Sequence, residues 1–152
     1  MDIGSVYPYW EDVHTDLIEL LEWLPEPVWD YKPRLADVRS IRQIVLHMID
    51  QERFWIVHLA QGGPWVRPEP ADFTSPDLLV EGLVATRKQT MLYIKLLRAE
   101  TLRAVRTIPT DGEMNTPETN RPVAWLIWRA VEHELYHYGQ IQQRRYDALA
   151  RG

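Results

Sequence analysis

Four long stretches of the chain place apolar residues three or four positions apart, which is the spacing of one face of an α-helix. They cover residues 10–24, a stretch that begins after Ser40, another that begins after Ser75, and residues 121–148. No alternating stretch is long enough to predict a sheet, and no internal repeat predicts a solenoid. The pattern therefore predicts an all-α protein built as an antiparallel four-helix bundle.

Local sequence signals mark where these helices begin and end. Ser40 is followed by Gln43 in the pattern of a capping box, and Gly62, Gly63 and Pro64 end the helix that Ser40 opens. Ser75 caps a third helix that has Pro76 at its first position and extends to about residue 98. Residues 99–120 contain turn residues and predict at most a short helical turn followed by a loop.

The size and charge of the chain limit its class. A chain of 152 residues predicts one domain, residues 1–152, and a net charge of -5 argues against binding a nucleic acid. Cysteine is absent, which excludes thiolate metal ligands and a cysteine nucleophile. The N-terminus does not resemble a signal peptide, and no apolar run is long enough for a membrane span. We expect a cytoplasmic protein that does not enter a membrane.

The fourth helix carries two histidines in its apolar stripe. His133 and His137 lie one turn apart on the core-facing side, so both imidazoles can contact one ion. Such a pair also arises by chance, and buried histidines are often structural. Residues 133–137, HELYH, fit the HExxH pattern of zinc metallopeptidases, in which Glu134 would be a general base. The printed residues after His137, YGQIQQRRYDALARG, include no histidine and no glutamate, so we expect a third ligand from upstream.

Three upstream histidines are candidates for that ligand. His47 lies near the middle of the second helix, at the edge of its apolar stripe. His58 shares the same face but lies roughly 16 Å further along the axis, near a helix end, where a surface or interface role is expected. His14 borders the first stripe and is either a fourth ligand or an ordinary boundary residue. Spacing alone leaves these alternatives open.

The combination of HMIDQERFW in the second helix with HELYHYGQI in the last resembles the DinB/YfiT-like superfamily over nearly the whole chain. This resemblance implies an antiparallel four-helix bundle, often dimeric, with a divalent metal held by three histidines. Carried over by position, the ligands are His47, His133 and His137. The superfamily includes enzymes similar to bacillithiol or mycothiol S-transferases and maleylpyruvate isomerases, and the sequence does not select one substrate.

The functional hypothesis is a metal-dependent enzyme, a thiol S-transferase, isomerase or hydrolase-like protein acting on a small molecule. Imidazole ligands suit zinc or nickel and also iron or manganese. The resemblance to thiol-dependent enzymes implies a low-molecular-weight thiol as the cosubstrate. The ion would activate a water or a substrate thiol near neutral pH. The alternative is a noncatalytic metal-binding or interaction protein in which the ion joins the helices. A metallopeptidase is the third alternative.

Three further residues of these motifs, Gln140, Glu134 and Glu52, have their own interpretations. Gln140, one turn beyond His137, could hydrogen-bond a water on the ion or orient a ligand, and a packing contact is equally compatible. Glu134 lies about 100° from the ligand face, so its role as a catalytic base rests only on the protease analogy. Glu52 interrupts the second apolar stripe and is expected to be a buried structural carboxylate.

A second apolar face on the fourth helix suggests a further contact. Trp128, Leu135 and Gly139 lie roughly opposite the two histidines, and we expect this face to pack against another helix or a partner in a homodimer. A glycine inside a helix costs about 1 kcal/mol relative to alanine. Gly139 is therefore expected to admit another backbone at close range.

Overall fold

The computed structural model describes residues 7–33, 38–109 and 119–151. The helices are α1 (Trp10–Trp23), α2 (Glu26–Trp29), α3 (Ile41–Glu52), α4 (Pro76–Lys95), α5 (Ala99–Arg103) and α6 (Val123–Leu149). Helix α3 continues into a π-helical segment, Arg53–Ala60, and a 3₁₀ turn, Pro70–Asp72, precedes α4. The four long helices correspond to the four stretches predicted from the sequence.

Packing between these helices defines the bundle. Helix α1 packs against α4 and α6, and α3 packs against the same two helices. The long helices therefore form a ring in the order α1, α4, α3, α6, and the prediction of an all-α four-helix bundle is confirmed. Among the described residues, no helix is both long and apolar enough to cross a membrane.

Two of the predicted helix starts are formed as expected. The Ser40 hydroxyl accepts a hydrogen bond from the Gln43 backbone N–H, and the Gln43 side-chain oxygen accepts one from the Ser40 N–H. At α4 the Ser75 hydroxyl accepts from the Leu78 N–H, and Pro76 takes the first helical position. The first backbone N–H groups of a helix have no acceptor within the helix itself. The cap hydrogen bonds satisfy some of these groups, so they determine where both helices begin.

The expectation that the chain forms no sheet is wrong in one place. Strand β1 (Val105–Ile108) pairs antiparallel with β2 (Thr119–Pro122), and the register sets Val105 opposite Pro122. Strands of four residues are too short to show an alternating pattern, and only Ile108 in them is buried. Residues 110–118, which belong to the predicted loop, lie outside the described residues.

The π-helical segment also differs from the regular helix that the apolar spacing predicts. At its end the Gln61 N–H donates to the Ile56 carbonyl five residues earlier, at 2.9 Å. Apolar spacing locates the buried side of a helix but does not distinguish a four-residue from a five-residue hydrogen-bond step. The segment still buries Trp55, Ile56 and Leu59, the residues that the apolar spacing places on the core-facing side.

Buried apolar residues form two clusters in the described part of the chain. The first includes Leu17, Leu21, Trp29, Ile41, Ile49, Leu79, Leu83 and Ile141. The second includes Trp10, Phe54, Trp55, Ile94, Val123, Leu126, Ile127 and Ala130. Between members of the two clusters, each long helix contributes one residue to a buried polar set: His14 on α1, Glu52 on α3, Arg87 on α4 and Glu134 on α6. We call these four residues the ionic layer.

The cap at α3 gives a stability prediction. Ser40→Ala removes the acceptor for the Gln43 N–H, and we expect the free energy of unfolding to fall by about 1 kcal/mol in urea denaturation. Thr15→Ala is the control, because Thr15 is exposed within α1 and its hydroxyl donates to the Glu11 carbonyl one turn earlier. That control should change stability by less than about 0.5 kcal/mol. Equal losses in the two variants would contradict the role of the cap.

Candidate metal centre

Three histidines from two helices converge at one point. The Nε2 atom of His133 lies 3.1 Å from Nε2 of His47 and 2.9 Å from Nε2 of His137. Each of the three residues offers a ligand atom within 4.8 Å of the others. His133 and His137 lie one turn apart on α6, and α3 brings His47 against them because it packs directly on α6. The three residues named by the family resemblance therefore meet, and we call them the histidine cluster.

The spacing of these nitrogen atoms fits a metal ion. Two ligands at the usual zinc–nitrogen distance lie about 2.9 Å apart at a right angle and about 3.4 Å apart at a tetrahedral angle. Both measured separations, 2.9 and 3.1 Å, fall between these limits. Three imidazoles on one side of an ion leave other coordination positions for small molecules.

The electrostatic surroundings keep the imidazoles neutral. Burial lowers the pKa of His47 to about 3 and that of His133 to about 2, with additional lowering by nearby positive charges. Burial also lowers the pKa of His137, against a hydrogen bond to Gln140 that raises it. Neutral imidazole is the form that binds a metal. Nitrogen lone pairs that face each other without protons repel, and a cation among them removes that repulsion.

Gln140 sets the tautomer of one member of the histidine cluster. The Nδ1 atom of His137 lies 2.7 Å from the Gln140 side-chain oxygen, which can only accept, so Nδ1 carries the proton and Nε2 keeps its lone pair. The Gln140 amide nitrogen in turn donates to the Tyr136 hydroxyl at 3.0 Å. An outer hydrogen bond of this kind orients metal-binding histidines. Gln140 was expected either to interact with the site or to make a packing contact. The structure shows a hydrogen bond that orients His137.

Glu134 points away from the histidine cluster. Its carboxylate accepts two hydrogen bonds from Arg87, at 2.5 and 3.3 Å, and its Oε2 lies 3.0 Å from Nδ1 of His14. Burial raises the pKa of Glu134, but His14 and Arg87 more than offset that effect and leave it below its usual value. Glu134 is thus an ionised carboxylate in the ionic layer, and it is not among the residues whose ligand atoms meet.

Arg87 is the centre of the ionic layer. Its Nε and Nη2 atoms donate to the two oxygens of Glu52 at 3.0 and 3.1 Å, while the guanidinium also binds Glu134. The ring of Trp10 lies 4.1 Å from the guanidinium carbon, in the geometry of a cation–π contact. Glu52 is therefore a buried structural carboxylate, as its place in the apolar stripe predicts.

Sequence reasoning did not identify Arg87. Helix α4 has an apolar stripe through Leu79, Leu83 and Ile94, and Arg87 occupies a position of that stripe. A charged residue at a core-facing position needs a buried partner. The same argument identified Glu52 as a buried carboxylate. Applied to α4, it identifies Arg87 as the buried cation that pairs with Glu52.

The remaining histidines lie outside the cluster. His14 is bonded to Glu134, which makes it a member of the ionic layer. His58 lies at the end of the π-helical segment, where its Nδ1 atom is 2.9 Å from the Gly63 carbonyl and its ring is near Trp65. The described chain thus brings neither residue to the histidine cluster as a fourth ligand.

The close approach expected at Gly139 is not made by another helix of the described chain, which leaves the alternative of a partner in a homodimer. A side-chain carbon placed at Gly139 would meet no atom within 4 Å, so no other backbone approaches it. Its neighbours on the same face, Trp128 and Leu135, are 43% and 48% exposed. The described chain thus leaves about half of each of these two side chains on the second apolar side of α6 exposed.

A cavity of about 400 Å³ adjoins the histidine cluster through His47. Its wall is formed by one side of α3 and by the segment before α4, and its lining residues are Gln43, Leu46, His47, Asp50, Arg67, Pro68, Glu69 and Pro70. This volume is sufficient for a small molecule. The cavity and the histidine cluster therefore share one residue, His47.

A helical bundle with a cluster of three histidines from facing helices fits a metal-binding protein. Comparison with family sequence patterns agrees: the pattern of the DinB superfamily matches residues 9–141. The chain belongs to the DinB superfamily, which confirms the resemblance inferred from its motifs. No curated protein matches the chain.

The ionic layer gives a second stability prediction. Arg87→Met leaves two buried carboxylates without their cation, and we expect it to lower the free energy of unfolding by about 3–5 kcal/mol in urea denaturation. Adding Glu52→Gln and Glu134→Gln removes the unpaired charges, so the triple variant should regain part of that loss.

Arg42→Met is the matched control, since Arg42 binds Asp30 through two hydrogen bonds on the surface. It should cost at most about 1 kcal/mol. A loss for Arg87→Met no larger than that of Arg42→Met would contradict the structural role of the layer.

Proposed function

We propose that the protein is a metal-dependent enzyme whose ion is held by His47, His133 and His137 and whose substrate is a small molecule. The observation that carries this proposal is the convergence of three neutral, largely buried imidazole nitrogens beside a cavity. Perturbed ionisable groups that line a cleft are a general feature of functional sites. Zinc or nickel is the proposed ion, because imidazole ligands without a carboxylate suit both.

The number of protein ligands separates a catalytic from a structural site. Structural zinc sites normally use four protein ligands, whereas catalytic sites use three and leave a position for substrate. His14, the candidate fourth ligand, is bonded to Glu134. A three-histidine site with open positions is therefore favoured over a noncatalytic protein in which the ion only joins the helices.

The chain's own residues would support this chemistry in distinct ways. Such an ion, when bound, lowers the pKa of a water or thiol and so supplies a nucleophile near neutral pH. Gln140 holds His137 in the tautomer that presents Nε2, and Leu46, Pro68 and Pro70 give the cavity apolar surface for a bound molecule. A low-molecular-weight thiol is the proposed cosubstrate, and transfer of a group to or from it is the proposed reaction type. An isomerase or hydrolase-like reaction would use the same ion.

A metallopeptidase receives no support from the position of Glu134. The general base of an HExxH site must reach a water next to the ion. Here the Glu134 carboxylate is engaged by Arg87 and His14 in the bundle interior. The match to HExxH is therefore assigned to two proposed ligands, His133 and His137, and a structural carboxylate.

Metal analysis of untagged protein tests the ligand set. We expect about one ion per chain in the wild type after loading with Zn²⁺ or Ni²⁺ and dialysis, and a large loss of retained ion in His47→Ala. The control is His58→Ala, which removes a histidine outside the cluster and should retain the ion as the wild type does. Equal retention in the wild type and His47→Ala would exclude His47 as an essential ligand.

The exposed apolar face of α6 supports a homodimer as the proposed assembly. Trp128 and Leu135 lie on this face with Gly139, which presents no side chain. We expect Leu135→Glu to convert a dimer to a monomer in light scattering coupled to size-exclusion chromatography, because it places a charge on the apolar face. Leu92→Glu, at an exposed position of α4, is the matched control. A monomeric wild type would contradict the proposal.

A further inference from the structure

The cavity beside His47 has a wall whose polar groups are held in place. Asp50, one turn beyond His47 on α3, is buried and accepts hydrogen bonds from the Trp65 indole N–H and from Arg67 Nη2, both at 3.1 Å. The Arg67 guanidinium carbon also lies 4.8 Å from the centre of the Trp65 ring. One buried carboxylate thus fixes the segment that carries Arg67 over the helix that carries His47.

Arg67 keeps donors for a further partner. A guanidinium has five N–H groups, and the hydrogen bond that the described chain gives Arg67 uses one of them. The side chain remains 59% exposed although it lines the cavity. Donors on a planar fork of this kind match the geometry of a carboxylate.

A second donor group on the wall comes from Gln43. Its side-chain oxygen accepts from the Ser40 N–H in the capping box of α3. The cap therefore determines the orientation of the amide, and no hydrogen bond within the described residues uses its NH₂ group. Arg67 and Gln43 both present hydrogen-bond donors, and both line the cavity with His47.

The charges around the cavity favour an anion once an ion is bound. Three neutral imidazoles leave both positive charges of a divalent ion uncompensated. Arg67 adds a positive charge to the cavity wall that His47 also lines. Of the carboxylates on the wall, Asp50 is already bonded to two donors and Glu69 is exposed.

We propose that this cavity binds the carboxylate of a small organic acid through Arg67, with Gln43 as a second donor, while another part of the same molecule reaches the ion. The proposal rests on the proposed function, since it needs an ion at the histidine cluster. It defines a substrate class: small acids with a short apolar chain, for which Leu46, Pro68 and Pro70 supply the apolar wall.

A titration with paired thiols tests the proposal on the full chain loaded with Co²⁺. The probes are mercapto acids with two to four carbons and the thiol at the far end, and the primary amide of each acid. Binding of the thiolate to Co²⁺ is followed by the charge-transfer absorption, so each dissociation constant is measured without an enzymatic reaction. The ratio of acid to amide affinity then isolates the contribution of the carboxylate.

We expect this ratio, for at least one chain length, to be about 10-fold higher in the wild type than in Arg67→Gln, with amide affinity nearly unchanged. Arg67→Lys should restore part of the ratio because it restores the charge. Arg103→Gln is the control, since it removes an exposed arginine of α5 that does not line the cavity, and it should keep the wild-type ratio.

The outcomes separate the two proposals. If Co²⁺ and the thiols bind but Arg67→Gln leaves the ratio unchanged at every chain length, the carboxylate site is wrong and the metal site stands. If the protein takes up no Co²⁺, or no thiol changes its spectrum, the metal site with open positions is contradicted, and the carboxylate site is contradicted with it.

Discussion

The pairing of one buried guanidinium with two buried carboxylates is the constraint on which the rest of this structure depends. Arg87 on α4 binds Glu52 on α3 and Glu134 on α6, and His14 on α1 completes the contact with Glu134. Charges removed from water are tolerated only when each is paired and hydrogen-bonded. All four long helices must therefore meet at one level, between the two apolar clusters, and a displaced helix would leave a charge unpaired.

The ionic layer and the histidine cluster share helices α3 and α6, and each of these helices contributes residues to both. Glu134 follows His133 directly, and successive residues on a helix point about 100° apart. The carboxylate therefore enters the bundle interior while the imidazole meets His47 and His137. Because Glu52 lies on the helix that carries His47, Arg87 ties together the two helices that supply the proposed ligands. The ionic layer thus fixes the separation of these helices, on which convergence of the three nitrogens depends.

Sequence reasoning predicts those features that depend on local chemistry or on helical periodicity. The Ser40 cap, the stripe that carries His133 and His137, and the buried position of Glu52 all follow from patterns within one helix. The partner of Glu134 did not follow, because HExxH describes spacing along one helix and Arg87 comes from another. The short strands and the π-helical segment depend on contacts and hydrogen bonds that apolar spacing does not encode. His47 was selected by family resemblance, since spacing left His14 and His58 as alternatives.

The central claim is that three imidazoles and no other side chain hold the ion. X-ray absorption spectroscopy of the Zn²⁺-loaded protein tests it most directly, because imidazole rings give a characteristic outer-shell scattering that can be counted. The account predicts three imidazole ligands together with at least one ligand that an added thiol replaces with sulfur. A fourth side-chain ligand that persists in the presence of thiol, or fewer than three imidazoles, would contradict it.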